Sequence, residues 1–447
     1  MHKTRILIST LAWLGMGCSG WVCWGTPEAP SALTGAEIHS TSSSAEEPLP
    51  PLEEEVPSGS SWIASTVPAG GVDLAGLLDL ALRSSPKLSV ERAKVGETRM
   101  RALATGLLPN PVVEGGAKKV SGEHSGPVVR ISQELPINGA LGLERQAAGL
   151  ELMADQAQLS RGIQSVLAEV MRAYVSTLAT RELAGVEQHG LELAEGFLRH
   201  SSETYHRGLS GALPFELARV EVAGARTANL LVLEEHANAR KNLALLIGLT
   251  EAGLPQVAGN LRASLLPADT ASRKPSRPDL EAASLRIQAA QAAVAAAERA
   301  RIPNPVIGYE REEAGDDTEN FFTLGLEIPL FNSGRPRVQE RIAEQQTAHA
   351  EKSALAREIE SELERTSSQL EIRRQAVEIY ENEISPSIRQ SLETARSALD
   401  QGLTDRSLLL QAQVRLVEQE RNAIRALSEL REAEIDYLLA LGATTGQ

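Results

Sequence analysis

From Leu141 to Tyr205 the chain carries no proline, and apolar residues return at Leu159, Ile163, Val166, Val170, Tyr174 and Leu178. Steps of three and four residues place these side chains on one stripe, which predicts a coiled-coil-like helix. At a rise of about 1.5 Å per residue such a helix is roughly 100 Å long. Helices of ordinary compact domains average about three turns, so this one must lie beside others of similar length. A second proline-poor stretch runs from Val338 to about Leu399, where Pro386 predicts a kink. Ahead of the first long helix, Ser89 to Leu107 reads as helical and Asn110-Pro111 breaks it.

Short segments between these helices change period. Val112 to Val120 and Val128 to Leu135 read as strands joined by the polar turn Ser121 to Gly126, and Val306 to Glu312 and Phe321 to Ile328 form a second pair. Val129, Ile131 and Leu135 share one face against Arg130, Ser132 and Glu134; Phe322, Leu324, Leu326 and Ile328 oppose Thr323, Gly325 and Glu327. One face of each strand therefore meets oil and the other water. The alternative is a pair of hairpins packed on their own helices. Four strands cannot close a membrane barrel, which takes about eight. An oily face in lipid therefore requires a barrel shared among protomers, because unpaired backbone groups cannot face hydrocarbon. The aromatic girdle is thin: Tyr309, Phe321, Phe322 and Phe331 flank the second hairpin, and the first has none.

The two halves are copies. Leu108-Pro109-Asn110-Pro111-Val112 returns as Ile302-Pro303-Asn304-Pro305-Val306, offset by 194. Glu134-Leu135-Pro136, followed by Asn138-Gly139, returns as Glu327-Ile328-Pro329, followed by Asn332 and Gly334, with the prolines offset by 193. Gly208-Leu209-Ser210 returns as Gly402-Leu403-Thr404 at 194, and Ser85-Pro86-Lys87-Leu88 as Arg277-Pro278-Asp279-Leu280 at 192. Landmarks in the same order at nearly constant offset define two units, 71–260 and 261–443, followed by a tail at 444–447.

Composition narrows the function. With 44 Lys plus Arg against 59 Asp plus Glu the net charge is -15, which argues against nucleic acid as a partner. Only five Phe, five Tyr and four Trp occur in 447 residues, a poverty that suits long helices. Both cysteines, Cys18 and Cys23, lie at the N-terminus, leaving no pair for a staple or thiolate metal site. Lys3 and Arg5 ahead of an apolar run to about Met16 read as an export signal over 1–24. Cys18 follows Leu14-Gly15-Met16-Gly17, close to a lipoprotein cleavage box with the branched residue one position too far upstream. Cys18 is thus a lipidation candidate, with plain signal cleavage nearby as the alternative. Residues 25–70 hold seven glutamates and no Lys or Arg, the composition of a flexible acidic Pro/Ser linker. No run of 18 apolar residues predicts a membrane-spanning helix further on.

No Walker loop, nucleophile elbow or HExxH occurs, so the chain is not read as an enzyme, and neither cofactor nor metal ligand set is expected. His200 and His206 are six apart, which does not stack them on one helical face. The five methionines form no motif.

The duplicated order of helix, Pro-Asn-Pro, hairpin, Glu-(Leu/Ile)-Pro, long helix and Gly-Leu-(Ser/Thr) resembles the TolC-type outer-membrane efflux channels. Asp73 to Leu88 and Arg277 to Pro305 carry the likeness further, over roughly residues 72 to 443, and within the family it is similar to the heavy-metal branch of cobalt-zinc-cadmium and copper-silver exporters. The resemblance implies a mainly α chain with a membrane β-barrel: four strands and long coiled-coil helices per chain, in a homotrimer with a twelve-stranded barrel above an α-helical tunnel. It implies a place in the outer membrane of a Gram-negative bacterium, in contact with its lipid and reaching into the periplasm. Its partners are then a periplasmic adaptor, or membrane fusion protein, and an inner-membrane efflux pump. Gly208, Leu209, Ser210, Gly402, Leu403 and Thr404 match the family's adaptor-docking tips, although each also serves simply as a turn. Arg130, Glu134, Thr323 and Glu327 become candidates for the barrel lumen. The family often places acidic residues just after the second tip; here Ser407 to Gln411 holds leucines, and Asp405, Leu408 and Gln411 are the gate-region candidates. The reading is a passive efflux duct. The alternative is a periplasmic coiled-coil adaptor or spacer.

Overall fold

The computed structural model describes residues 71–118, 126–267, 275–314, 317–401, 403 and 406–443, all within the unit Ser58–Gln447. The export signal and Cys18, the linker, Gly402, Thr404, Asp405 and the tail at 444–447 lie outside the described residues.

Element order repeats in the two halves. The first runs α1 (Leu74–Ser84), α2 (Pro86–Ala104), β1 (Val112–Lys118), β2 (Gly126–Glu134), α3 (Ala140–His206) and α4 (Ala212–Leu246); the second runs α5 (Pro278–Arg299), β3 (Pro305–Ala314), β4 (Asp317–Leu326), α6 (Arg335–Ile379), α7 (Ser385–Asp400) and α8 (Arg406–Leu441). Helix α3 is 67 residues long, roughly 100 Å. Its expected stripe is real where it matters most: Val166, Val170, Tyr174 and Leu178 are buried, while Leu159 and Ile163 are half-buried.

The apolar core gathers around the middle of α3. There α1, the ends of α4 and α8, and the segment carrying Leu254, Val257 and Leu261 enclose Leu167 to Leu183. Burying these side chains is the main stabilising term of the bundle, at about 25 cal/mol per Å² of apolar surface removed from water. Within it Arg431 holds Glu434 and the carbonyls of Leu261 and Arg262, and Glu434 accepts from Ser264 Oγ and the Leu265 N–H, both at 2.9 Å.

The kink expected at Pro386 takes a specific form. Residues Tyr380–Ile384 form one π-helical turn between α6 and α7, and the Ser385 N–H reaches back five residues to the Tyr380 carbonyl. Proline lacks the N–H that would serve the carbonyl four residues earlier, and its ring pushes that carbonyl aside, so the ladder widens just ahead of it.

One four-stranded antiparallel sheet, in the order β1-β2-β3-β4, joins both hairpins. Its registers repeat with the sequence. All seven β1–β2 pairs, from Val112↔Ser132 to Lys118↔Gly126, reappear in β3–β4 as Val306↔Gly325 to Glu312↔Glu319, with β1 shifted by 194 and β2 by 193. Strand β4, expected to reach Ile328, stops at Leu326. Its counterpart β2 continues to Glu134 because β3 pairs with it there, whereas among the described residues the far edge of β4 has no strand beside it.

Candidate functional site

Register and alternation sort the sheet into two faces. Glu114, Arg130 and Glu310 stand in one cross-strand row: Arg130 binds Glu310 Oε2 at 2.6 Å and lies 3.7 Å from Glu114. Ser132, Thr323, Glu134, Glu312 and Glu319 share that face, a Cβ on Gly308 meeting Thr323 Oγ1 and Ser132 Cβ. Among the described side chains it thus carries five carboxylates, Glu114, Glu134, Glu310, Glu312 and Glu319, against one cation, Arg130; Phe321, expected in the aromatic girdle, stands on this side opposite Glu310.

The opposite face is apolar. Val113, Ile131, Tyr309 and Phe322 form one row, with the Tyr309 and Phe322 rings 5.4 Å apart, and Val129, Ile307, Leu324 and Leu326 flank it. These side chains are exposed, Phe322 to 87 % and Leu324 to 77 %. Among the described residues no helix covers them, which counts against hairpins packed on their own helices. Tyr309 donates its hydroxyl to Asn320 at 2.7 Å, and the adjacent Arg311–Glu313 pair makes this face polar at the hairpin end. Among the described residues no helix is long and apolar enough to cross a membrane; the strands are the elements with an oily face.

Of the lumen candidates, Arg130, Glu134 and Thr323 come together on the polar face, and Glu327 follows directly after β4. Glu114, Glu310 and Glu312 escaped the sequence reading. Gly115-Gly116 breaks the alternation of β1, and the charged run Glu310 to Glu313 hides that of β3; only the pairing with β2 reveals which carboxylates share its polar side.

Where sheet meets helices, the repeated motifs interlock across halves. Asn304 donates from Nδ2 to Glu134 Oε1 at 2.8 Å, and its Oδ1 accepts from the Asn138 N–H at 3.4 Å. Asn138 Nδ2 in turn donates to the Ile302 carbonyl at 2.8 Å. Pro-Asn-Pro of the second half is thus the socket for Glu-Leu-Pro and Asn138 of the first.

At the far end of α3, Gly208 adopts φ +72°, and the Leu209 N–H caps the Thr204 carbonyl at 2.9 Å, turning the chain into α4. Ser210 Oγ donates to Thr204 Oγ1 at 3.3 Å, and Tyr205 stacks on Phe215 beneath. Leu209 projects 74 % exposed, and Leu403 of the second tip 76 %. In α8, Gln411 is exposed, and Leu408 sits in the first turn. The π-helical turn borders an open cleft of about 590 Å³ lined by Glu182, His189, Arg262, Glu381 and Glu420, with Arg262 3.4 Å from Glu381. Among the described residues no group of three or more His, Cys, Asp or Glu is arranged to hold a metal ion.

Comparison with known proteins agrees with this layout. The family model described as "Outer membrane efflux protein" matches residues 77–249 and 274–443. The chain is 26 % identical over 302 residues to the pyoverdine export outer membrane protein OpmQ of Pseudomonas putida, covering 60 % of this chain and 64 % of that protein. It is 29 % identical over 259 residues to the toluene efflux pump outer membrane protein TtgF of Pseudomonas putida, covering 54 % of this chain and 52 % of that one. The matches therefore span less than two thirds of these relatives. Among solved structures it is similar to CusC, with a TM-score of 0.70 at 19 % identity over 86 % of this chain and 96 % of that one. It is also similar to the outer membrane protein VceC of Vibrio cholerae, with a TM-score of 0.68 at 16 % identity over 83 % and 96 %.

Proposed function

The chain belongs to the outer membrane efflux protein family and resides in the outer membrane, and on that premise we propose that it is the passive exit duct of a tripartite efflux system. Three copies supply four strands each to one barrel. The helices continue it as a tunnel, and the tips at Gly208 to Ser210 and Gly402 to Thr404 meet a periplasmic adaptor that connects to an inner-membrane pump. Direction comes from the pump, and no reaction occurs in the duct.

The observation that carries this reading is the two-faced sheet. A solvent-exposed apolar face of the size of Phe322, Leu324 and Leu326 is costly in water and at home in lipid, and four strands with free edges reach closure only with further copies. The polar face then lines the lumen. Its excess of carboxylates favours cations, which agrees with the likeness to the heavy-metal branch; heavy-metal cations are accordingly the proposed substrates.

Light scattering on the particle extracted in mild detergent tests the assembly. A protein mass near three chains is expected, and planar bilayers containing it should conduct ions. A monomer released without detergent would replace the duct with the soluble spacer. Comparing metal and solvent tolerance in a deletion strain tests the cargo: unchanged metal tolerance would remove the metal assignment and leave the duct.

A further inference from the structure

In the single chain, one repeat motif is satisfied and its twin is not. Asn304 is half-buried and holds Glu134, whereas Asn110 and Glu327, the equivalents of Asn304 and Glu134 in the other copy, are both exposed and make no side-chain hydrogen bond among the described residues. The same asymmetry extends to the helices. Helix α5 lies between α3 and α6, but its twin α2 packs substantially on α3 alone and leaves Val90, Met100 and Leu103 exposed.

Because the registers of the two hairpins repeat residue for residue, the β2–β3 pairing can be carried over by the same offsets. Resting on the shared-barrel reading above, we infer that β4 of one copy pairs with β1 of the next in the register Glu327↔Val112, Gly325↔Glu114 and Thr323↔Gly116, locked by a hydrogen bond from Asn110 to Glu327. The pair Glu134↔Val306 supplies the first of these, Ser132↔Gly308 the second and Arg130↔Glu310 the third. The Leu135 N–H that donates to the Pro305 carbonyl at 2.9 Å has as its image the Ile328 N–H on the next copy's Pro111 carbonyl. That bond also gives β4 the ending that it lacks alone, since Glu327 then continues the strand as Glu134 does. The partner is a second copy of this chain. The lumen is incomplete without it, because the neighbour's Glu114 row joins Gly325 and Thr323 at each seam.

Disulfide trapping tests the register. In the non-hydrogen-bonded pairs of an antiparallel ladder the facing side chains are about 4.5–5.5 Å apart at Cβ, against roughly 7–8 Å on the diagonal. These three pairs are of that kind, since Leu135↔Pro305 sets the hydrogen-bonded phase. Within one chain β1 and β4 are three strand spacings apart, roughly 14 Å, too far for a disulfide, so any bond joins two copies. The matched doubles are Gly116→Cys with Thr323→Cys and Glu114→Cys with Gly325→Cys; the crossed doubles are Gly116→Cys with Gly325→Cys and Glu114→Cys with Thr323→Cys. On mild oxidation of the full trimer, the matched doubles should give covalent dimer and trimer at least about tenfold faster than the crossed doubles, whose sulfurs start on the diagonal. Crossed doubles linking as fast, in a particle that remains trimeric, overturn the register alone. A particle of one chain before oxidation overturns the shared barrel as well.

A thermodynamic cycle reads the lock without cysteines. Asn110→Ala and Glu327→Ala should each lower the temperature at which the trimer dissociates, and the double variant should lose no more than the larger single effect, because both remove one bond. Fully additive losses, or no loss from either, overturn the pairing of these two side chains.

Discussion

Arg277 Nη1 donates to Glu362 Oε2 at 2.8 Å while its Nε and Nη2 close a fork on Asp279 at 3.1 and 2.8 Å, with the Arg277 side chain only 6 % exposed. Arg161 of α3 stands 3.6 Å from the same Asp279 and donates to the Leu439 carbonyl of α8 at 2.7 Å. Four helices are thus tied at the start of the second repeat. Arg277→Met leaves the half-buried Asp279 and Glu362 without their shared guanidinium, Arg161 alone remaining beside Asp279, and should cost roughly 2 kcal/mol of stability. Thermal unfolding in detergent reads this. Arg277→Lys should recover only part of the loss, because an ammonium cannot fork across both oxygens of Asp279. Full recovery with Lys would mean that charge alone matters.

The same cluster sets an acid limit. Burial by itself pushes the Asp279 carboxyl up, but hydrogen bonds and charge from Arg277, with Arg161 behind, outweigh it and hold the group below its ordinary value. A carboxyl depressed in the folded state stabilises the fold above the unfolded value, and that stabilisation is lost as pH falls through the folded one. The stabilisation from Asp279 should therefore be full and independent of pH near neutrality, and the unfolding temperature should decline below about pH 4. Asp279→Asn should start lower and show a shallower acid decline; a decline as steep as that of the parent would remove Asp279 as a source.

Gly248 and Gly442, offset by 194, close α4 and α8 in the same way. Both have positive φ, at +75° and +71°, and a Cβ there would stand 2.2 Å from the Ser84 carbonyl oxygen or 2.1 Å from that of Ser276. Neither oxygen can swing aside, since each belongs to backbone just ahead of Pro86 or Pro278. Gly208 has a similar φ of +72° but open space around it. Gly208→Ala should therefore cost only the conformational strain of about 1 kcal/mol. Gly442→Ala should lower the unfolding temperature several times more, and equal effects would show that crowding plays no part.

Leu209 has no packing role that its exposure would reveal, and Gly208 and Thr204 hold the turn through backbone. If the tip meets an adaptor, Leu209→Asp should abolish efflux-dependent tolerance while leaving the amount of trimer and its conductance in bilayers unchanged. Retained tolerance would return the residue to a plain turn.

How much of this was legible beforehand follows from what a chain can write into its own sequence. Long helices were legible because a stripe such as Val166, Val170, Tyr174 and Leu178 is a local pattern, and the duplication because Pro-Asn-Pro and Glu-x-Pro are rare combinations. The faces of β2 and β4 followed from alternation. Who meets whom was not legible: Asn304 finds Glu134 across 170 positions, and nothing near either residue specifies the other. Nor was the polar face complete, because Glu114 and Glu310 take their side only from the neighbouring Arg130. Pro386 announced a break but not its form, since the missing N–H is as compatible with a simple bend as with the π-helical turn that forms.

Thr323 and Leu324 adjoin in sequence and stand on opposite faces of β4, which turns the two-faced sheet into a sharp test. Thr323 pairs with Gly308 on the side of Arg130 and the carboxylates, where an added cation meets water and negative charge. Leu324 pairs with Ile307 beside Phe322 and Leu326, 77 % exposed and without a polar neighbour across the strand. A guanidinium at Leu324 must therefore enter hydrocarbon or drag water with it, at about 2–4 kcal/mol near the bilayer midplane. Three copies multiply that cost in one barrel. Leu324→Arg should strongly reduce the folded trimer recovered from outer membranes, whereas Thr323→Arg should leave it near the parental amount and shift ion selectivity toward anions. Equal recovery of both variants would mean that the apolar face does not contact lipid, and the barrel would have to be turned inside out or abandoned.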